Sequence, residues 1–125
     1  MKFRAIKENH LFAKAYSKGK RAVTSALAVY VLPDYAAKRL AKTDTRKQIK
    51  NRYGLTVSTK VGGAVTRSRC RRIIRAALYS IERRGILKTG FLIVIAARSN
   101  APKMKSTEIE RELNTAFIKL GLYTQ

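Results

Sequence analysis

Five arginines fall close together at Arg67, Arg69, Arg71, Arg72 and Arg75. A guanidinium is planar, can bond two phosphate oxygens at once, stacks on bases and keeps its charge at any useful pH. The chemistry it offers is recognition of a polyanion rather than proton transfer. On a helix advancing about 100° per residue from Arg67, residues Cys70, Ile73, Ile74, Ala77, Leu78 and Ile81 share an arc of roughly 140°. The five arginines take the other side. The spacing therefore predicts a helix, running to about Ile81, with an apolar face for a core and an arginine face for a partner. Gly62 and Gly63 stand just before it. They serve either as a tight turn or as a place where backbone amides approach an anion at the positive helix end.

Other chemistries are poorly supplied. His10 is the only histidine and Cys70 the only cysteine, which excludes an internal disulfide and the common zinc-binding spacings. His10 reads as a surface or helix-start residue, and Cys70, inside the apolar arc, as packing. The seven acids are too few and too dispersed for an evident two-metal cluster, and no nucleophile lies at a convincing spacing from a base. Gly19-Lys20 is followed by Arg21 without the upstream glycine of a phosphate-cradling loop, so no nucleotide cofactor is implied. No catalytic and no metal-ligating residue is expected in this chain.

The charge balance points the same way as the arginine helix. Lys plus Arg is 28 against 7 for Asp plus Glu, a net +21 on 125 residues. Such a chain repels itself unless a polyanion neutralises it, and nucleic acid leads the possible partners. From Thr45 to Ile81 there is no acid at all, while Arg46, Lys47, Lys50, Arg52 and Lys60 add to the five arginines. Hydrophobic residues make up 46% of the chain, enough to build a core rather than a disordered tail. The longest apolar run, Phe91 to Ala97, is far short of the roughly 18 residues that span a bilayer, and the start MKFRAIKENH lacks a signal-like apolar core. A soluble cytoplasmic protein, with no membrane partner, is the expectation.

The elements that must position these side chains make one domain over 1–125. Residues 8 to 18 place Leu11, Phe12, Ala15 and Tyr16 on one stripe of a short helix. Residues 22 to 32 read as one strand, and Pro33-Asp34 as a turn. The stretch 36 to 50 is polar and basic, a surface connection expected to be mobile. Tyr53, Leu55 and Val57 alternate with Gly54, Thr56 and Ser58, a strand whose small, polar face could carry a ligand. Residues 91 to 96 read as a central strand covered on both faces. A last amphipathic helix begins near Ser106, with Thr107 and Glu110 at capping-box spacing and Ile109, Leu113, Phe117 and Leu120 on one face. An α+β domain of helix, strands, helix, strand and helix follows.

The run from 60 to 75, Lys-Val-Gly-Gly-Ala-Val-Thr-Arg-Ser-Arg-Cys-Arg-Arg-Ile-Ile-Arg, closely resembles the signature of the bacterial ribonuclease P protein component, Lys-x-Gly-x-Ala-Val-x-Arg-Asn-Arg-x-Lys/Arg-Arg-x-x-Arg. Phe12 and Tyr16 look like that family's paired aromatics on its first helix, and residues 54–58 and 91–98 resemble two of its strands. Two positions depart: Ser68 replaces the central Asn, and Thr59 the first Lys of a Ser-Lys-Lys. The basic loop at 36–50 is longer than the family pattern leads us to expect.

The resemblance implies a fold similar to the second domain of ribosomal protein S5: a mixed sheet with helices on one side, the order α-β-β-α-β-α with an extra short strand allowed, and a left-handed β-α-β crossover carrying the arginine helix. It implies the protein subunit of a ribonucleoprotein endonuclease that removes the 5′ leader from precursor tRNA. Hydrolysis would belong to the RNA subunit with its magnesium, and the protein alone would bind no cofactor. Lys60, Arg67, Ser68, Arg69, Arg71, Arg72 and Arg75 would contact the catalytic RNA. Phe12 and Tyr16, with Tyr30, Arg52 and Arg98 as further contributors, would line a cleft for the single-stranded leader, where stacking tolerates any base. Phe12 reads equally well as a packing residue, whereas the polar tip of Tyr16 favours exposure over packing. A ribosomal or general RNA-packaging protein is the alternative that composition alone favours. A DNA-binding module is weaker, since Gln or Asn base readers beside the arginines are lacking.

Overall fold

The computed structural model describes residues 4–6, 8–35, 39 and 50–124. The basic stretch 36–50 therefore lies outside the described residues, apart from Arg39 and Lys50, both exposed. The elements are β1 (Arg4–Ala5), α1 (Asn9–Lys18), β2 (Lys20–Val23), β3 (Leu27–Pro33), β4 (Arg52–Thr56), α2 (Ala64–Glu82), β5 (Phe91–Ala97), a 3-10 turn (Ala101–Lys103) and α3 (Ser106–Lys119). The strands form one mixed sheet in the order β1-β4-β5-β3-β2. β4 lies parallel to both β1 and β5, whereas β3 runs antiparallel to β5 and β2. The expected α+β fold with a mixed sheet packed by helices is present, and β4, α2 and β5 form its parallel β-α-β unit.

Side-chain alternation sorts the sheet into two faces. Val29, Val31, Tyr53, Ile93 and Ile95 join Cys70, Ile74, Leu78, Ile81, Leu113 and Phe117 in the larger core beneath α2 and α3. Leu32, Leu92 and Val94 turn the other way and pack with Ile6 and Ala15, with Leu11, Phe12 and Tyr30 against them. The expectation of helices on one side is thus corrected: α1 covers the face opposite α2 and α3. The physical reason is that β5 is apolar at every position from Phe91 to Ala97, so both of its faces require a cover.

The strand expected over residues 22 to 32 is also corrected, to a hairpin of β2 and β3. Thr24 pairs with Leu27, its N–H donating to the Leu27 carbonyl at 2.8 Å and its Oγ1 accepting from the Leu27 N–H at 3.2 Å. The two loop residues, Ser25 and Ala26, lack the glycine or asparagine that marks a tight hairpin. Distant groups hold them instead. Glu112 Oε1 accepts from the Ser25 hydroxyl and the Ala26 N–H, and Asn100 donates to the Ser25 carbonyl at 3.2 Å.

At α3 the capping pair is not Thr107 and Glu110. The cap is Lys105, whose N–H donates to Glu108 Oε1 at 3.3 Å, and Glu110 instead pairs with Arg84 at 2.7 Å. Gly19 marks the seam between α1 and β2. A Cβ there would lie 2.5 Å from the Ala15 carbonyl oxygen and 2.9 Å from that of Val31, a clash with backbone on both sides.

Candidate nucleic-acid interface

The arginine helix is as the periodicity predicts. Cys70, Ile74, Ala77, Leu78 and Ile81 are buried, while Arg69, Arg72 and Arg75 are exposed and Arg67 and Arg71 half-buried. Cys70 is packing, and burial pushes its thiol above the ordinary value. Among the described residues none of the five arginines makes a salt bridge. The described acids are engaged elsewhere: Glu8 and Asp34 on Arg52, Glu110 on Arg84, Glu112 on the β2–β3 loop, Glu108 on the Lys105 amide and Glu82 beside Tyr53. Among the described residues the cationic face is thus left without a carboxylate partner. Ser68 lies on it, exposed, and Lys60 is exposed in the loop that leads to the helix.

The start of α2 adds donors. Gly63 is its cap residue, no side chain caps it, and its first turn holds no acid. Its leading N–H groups thus add to the positive end of the helix dipole, beside Lys60 and Arg67. Gly62 is needed sterically, since a Cβ there would come within 2.8 Å of the Thr66 side chain, whereas Gly63 has open space around it.

The second group of residues assembles on the α1 face of the sheet. Cross-strand register puts Arg21, Tyr30, Val94 and Gly54 in one row, and Val23, Ala28, Ala96 and Thr56 in the next. α1 covers the first row in part and stops short of the second. Val23 is 42% exposed there, over a floor of small side chains. Tyr16, 43% exposed at the end of α1, meets Tyr30 edge-on with centroids 4.8 Å apart, and its hydroxyl is 3.3 Å from Thr56 Oγ1. Phe12 is half-buried, its ring lying over Gly54, where a Cβ would be only 2.5 Å from ring carbons. The small, polar face of β4 that sequence alternation marks for a ligand is this one. Arg98 continues the register opposite Ala26, so it lies at the far rim of the same face, exposed, with Nη1 donating to the Thr24 carbonyl at 2.6 Å.

Arg52 is set apart. It lies at the other end of α1, with Nε donating to Asp34 Oδ2 at 2.8 Å, Nη2 to Oδ1 at 3.1 Å and Nη1 to Glu8 at 3.1 Å. The hydrogen bond to Asp34 raises its pKa further above the ordinary arginine range, against the opposing effect of burial. Two carboxylates already satisfy this side chain, and the structure does not bring it to the open rows with Tyr16 and Arg98. Sequence reasoning missed Arg21, the exposed cross-strand neighbour of Tyr30. The signal for it was the β2–β3 register, which a single continuous strand conceals.

Among the described residues no group of His, Cys, Asp or Glu could hold a metal, and no helix is long and apolar enough to cross a membrane. What the arrangement can do is bind: phosphates along α2, and unpaired bases on the open aromatic rows.

Comparison with known proteins agrees across the chain. The family model described as Ribonuclease P matches residues 1–121. The ribonuclease P protein component of Clostridium acetobutylicum is 34% identical over 122 residues, covering 98% of this chain and 92% of that protein. The one from Shouchella clausii is 33% identical over 114 residues, covering 91% and 83%. The fold is that of the Staphylococcus aureus RNase P protein, with a TM-score of 0.76 at 24% identity over 98% of this chain and 100% of that one. The Thermotoga maritima RNase P protein gives 0.68 at 19% identity, covering 90% and 94%. The unopposed arginines of α2 and the aromatic rows beside α1 both lie within the matched span: the chain belongs to the ribonuclease P protein family.

Proposed function

We propose that this chain works by holding RNA on two surfaces while the hydrolysis is carried out by an RNA subunit. Family membership makes it a component of an endoribonuclease complex with an RNA partner. The finer roles are our reading. Arg67, Arg69, Arg71, Arg72 and Arg75, with Ser68, Lys60 and the amides at the start of α2, bind phosphates of the catalytic RNA near the cleavage site. Tyr16, Tyr30 and Phe12, rimmed by Arg21 and Arg98, receive the single-stranded 5′ leader of precursor tRNA. Arg52 supports α1 from below through Glu8 and Asp34 rather than touching leader.

The observation that carries this reading is the set of guanidiniums on α2 that no carboxylate neutralises among the described residues. Binding a charged strand by such groups lowers the electrostatic cost of bringing two RNAs together, and orientation of the scissile bond follows from fixing the strand on both sides of it. The complex is expected to need magnesium. Among the described residues no group of His, Cys, Asp or Glu is gathered to hold it, so we assign the ion to the RNA. A cytoplasmic location follows from a substrate made and matured there.

The test is cleavage of precursor tRNA at low magnesium by the catalytic RNA, with and without this chain. Addition of the chain is expected to raise the rate of leader removal. Cleavage by the purified chain alone, or no stimulation of the RNA, overturns the proposal.

A further inference from the structure

β1 is only two residues long, and its last contact with β4 is the Ile6 N–H donating to the Tyr53 carbonyl at 3.0 Å. Past that point the outer edge of β4 borders a cavity of about 720 Å³, within the range of sites that enclose a small ligand. It is reached from both faces of the sheet. Phe12 lines it from the α1 side, Ala5 from β1 and Leu55 from β4, and α2 contributes Arg71, Arg75 and Tyr79. Those three are four residues apart and so share one flank of the helix. Arg83, outside the lining, places its guanidinium 5.6 Å over the Tyr79 ring.

The lining pairs aromatic and aliphatic surface with guanidiniums that carry no salt bridge among the described residues. An apolar peptide would leave Arg71 and Arg75 without counter-charge, and a simple anion would leave the aromatic surface unused. A flat aromatic group bearing a phosphate satisfies both. The location adds a second argument. A strand that leaves the aromatic rows beside α1 for the arginines of α2 must round the edge of β4, and the cavity is where that edge is uncovered.

We propose that this cavity is a slot for one unpaired nucleotide of the bound RNA, its base against Phe12, Leu55 and Tyr79 and its phosphate on Arg71 and Arg75. This rests on the RNA-binding reading above and extends it, because it joins the two surfaces into one track and assigns a base to their junction.

The full chain is titrated with adenosine 5′-monophosphate, adenosine and inorganic phosphate, following the backbone amide signals of Leu55, Ala76 and Tyr79. The monophosphate is expected to bind about tenfold more tightly than either fragment and to move those signals. Ala5→Phe fills the slot from an exposed position and should weaken the monophosphate by about tenfold while leaving inorganic phosphate unchanged. Should that variant fold poorly, Arg75→Gln should weaken the monophosphate and leave adenosine alone. Equal affinity for monophosphate and phosphate, signal changes confined to other surfaces, or insensitivity to both variants overturns the slot. Stimulation of leader removal is measured on the same preparation. If it persists without monophosphate binding, only the slot fails; if it is absent, the functional reading itself has failed.

Discussion

Tyr16 is the residue on which the proposed leader surface turns. It stands over the uncovered sheet rows with its ring edge on Tyr30 and its hydroxyl on Thr56, and nearly half of it faces solvent. Stacking a base on such a ring is worth about 1–3 kcal/mol. Tyr16→Ala is therefore expected to weaken binding of precursor tRNA to the complex by about tenfold or more, and to leave mature tRNA unchanged. Tyr16→Phe should keep most of the affinity, since the hydroxyl contact with Thr56 is long and exposed. Equilibrium binding of the two RNAs is the check, and equal losses for both would count against a leader surface. That Phe12 and Tyr16 share one stripe of α1 was legible from their spacing of four; their role toward leader was implied only by the resemblance. The setting of Arg52 was not legible. Its partners Asp34 and Glu8 lie 18 and 44 positions away, and only the packing of α1 across the ends of β3 and β4 brings them together. In a sequence, an arginine caged by carboxylates and one waiting for phosphate look the same.

Among the elements, α2 was the most legible because one periodicity carries two messages. The apolar positions specify burial, and the arginines between them have nowhere to go but outward. With 19 residues the helix is about 28 Å long, enough to track several phosphates. Replacing Arg67 and Arg71 together by Ala should lower affinity for the catalytic RNA and flatten the dependence of log affinity on log salt by about one to two units. A slope unchanged from that of the parent chain would remove α2 from the interface. The hairpin was illegible for the opposite reason. Its loop carries no residue that dictates a turn; its geometry is dictated by Glu112 and Asn100, from α3 and the 3-10 region. The cap of α3 was misplaced by two residues because Thr107-x-x-Glu110 and Lys105-x-x-Glu108 offer the same acid spacing. The backbone chose the register in which Glu110 is left over for Arg84.

At the scale of the whole molecule the governing fact is a net charge of +21, with the described ion pairs involving only Arg52 and Arg84 among the arginines and lysines. Like charges confined to a small fold repel one another, and the repulsion is weaker in the expanded unfolded chain, so it is a tax on folding. Salt reduces it, because the screening length falls from about 30 Å at 0.01 M to about 8 Å at 0.15 M ionic strength. The exposed pair between Arg84 and Glu110 weakens over the same range, but one surface pair is worth at most about 1 kcal/mol. Self-repulsion among the unpaired cations of α2 and its flanking loop should outweigh it. The thermal midpoint of the free chain is therefore expected to rise with sodium chloride, by about 4 °C for each 1 kcal/mol of repulsion relieved. A single-stranded RNA should act at far lower concentration, since it binds the folded surface as well as screening it. A midpoint that stays flat or falls as salt is added would mean that the cations are already balanced within the fold, which would also remove the reason for α2 to seek phosphate.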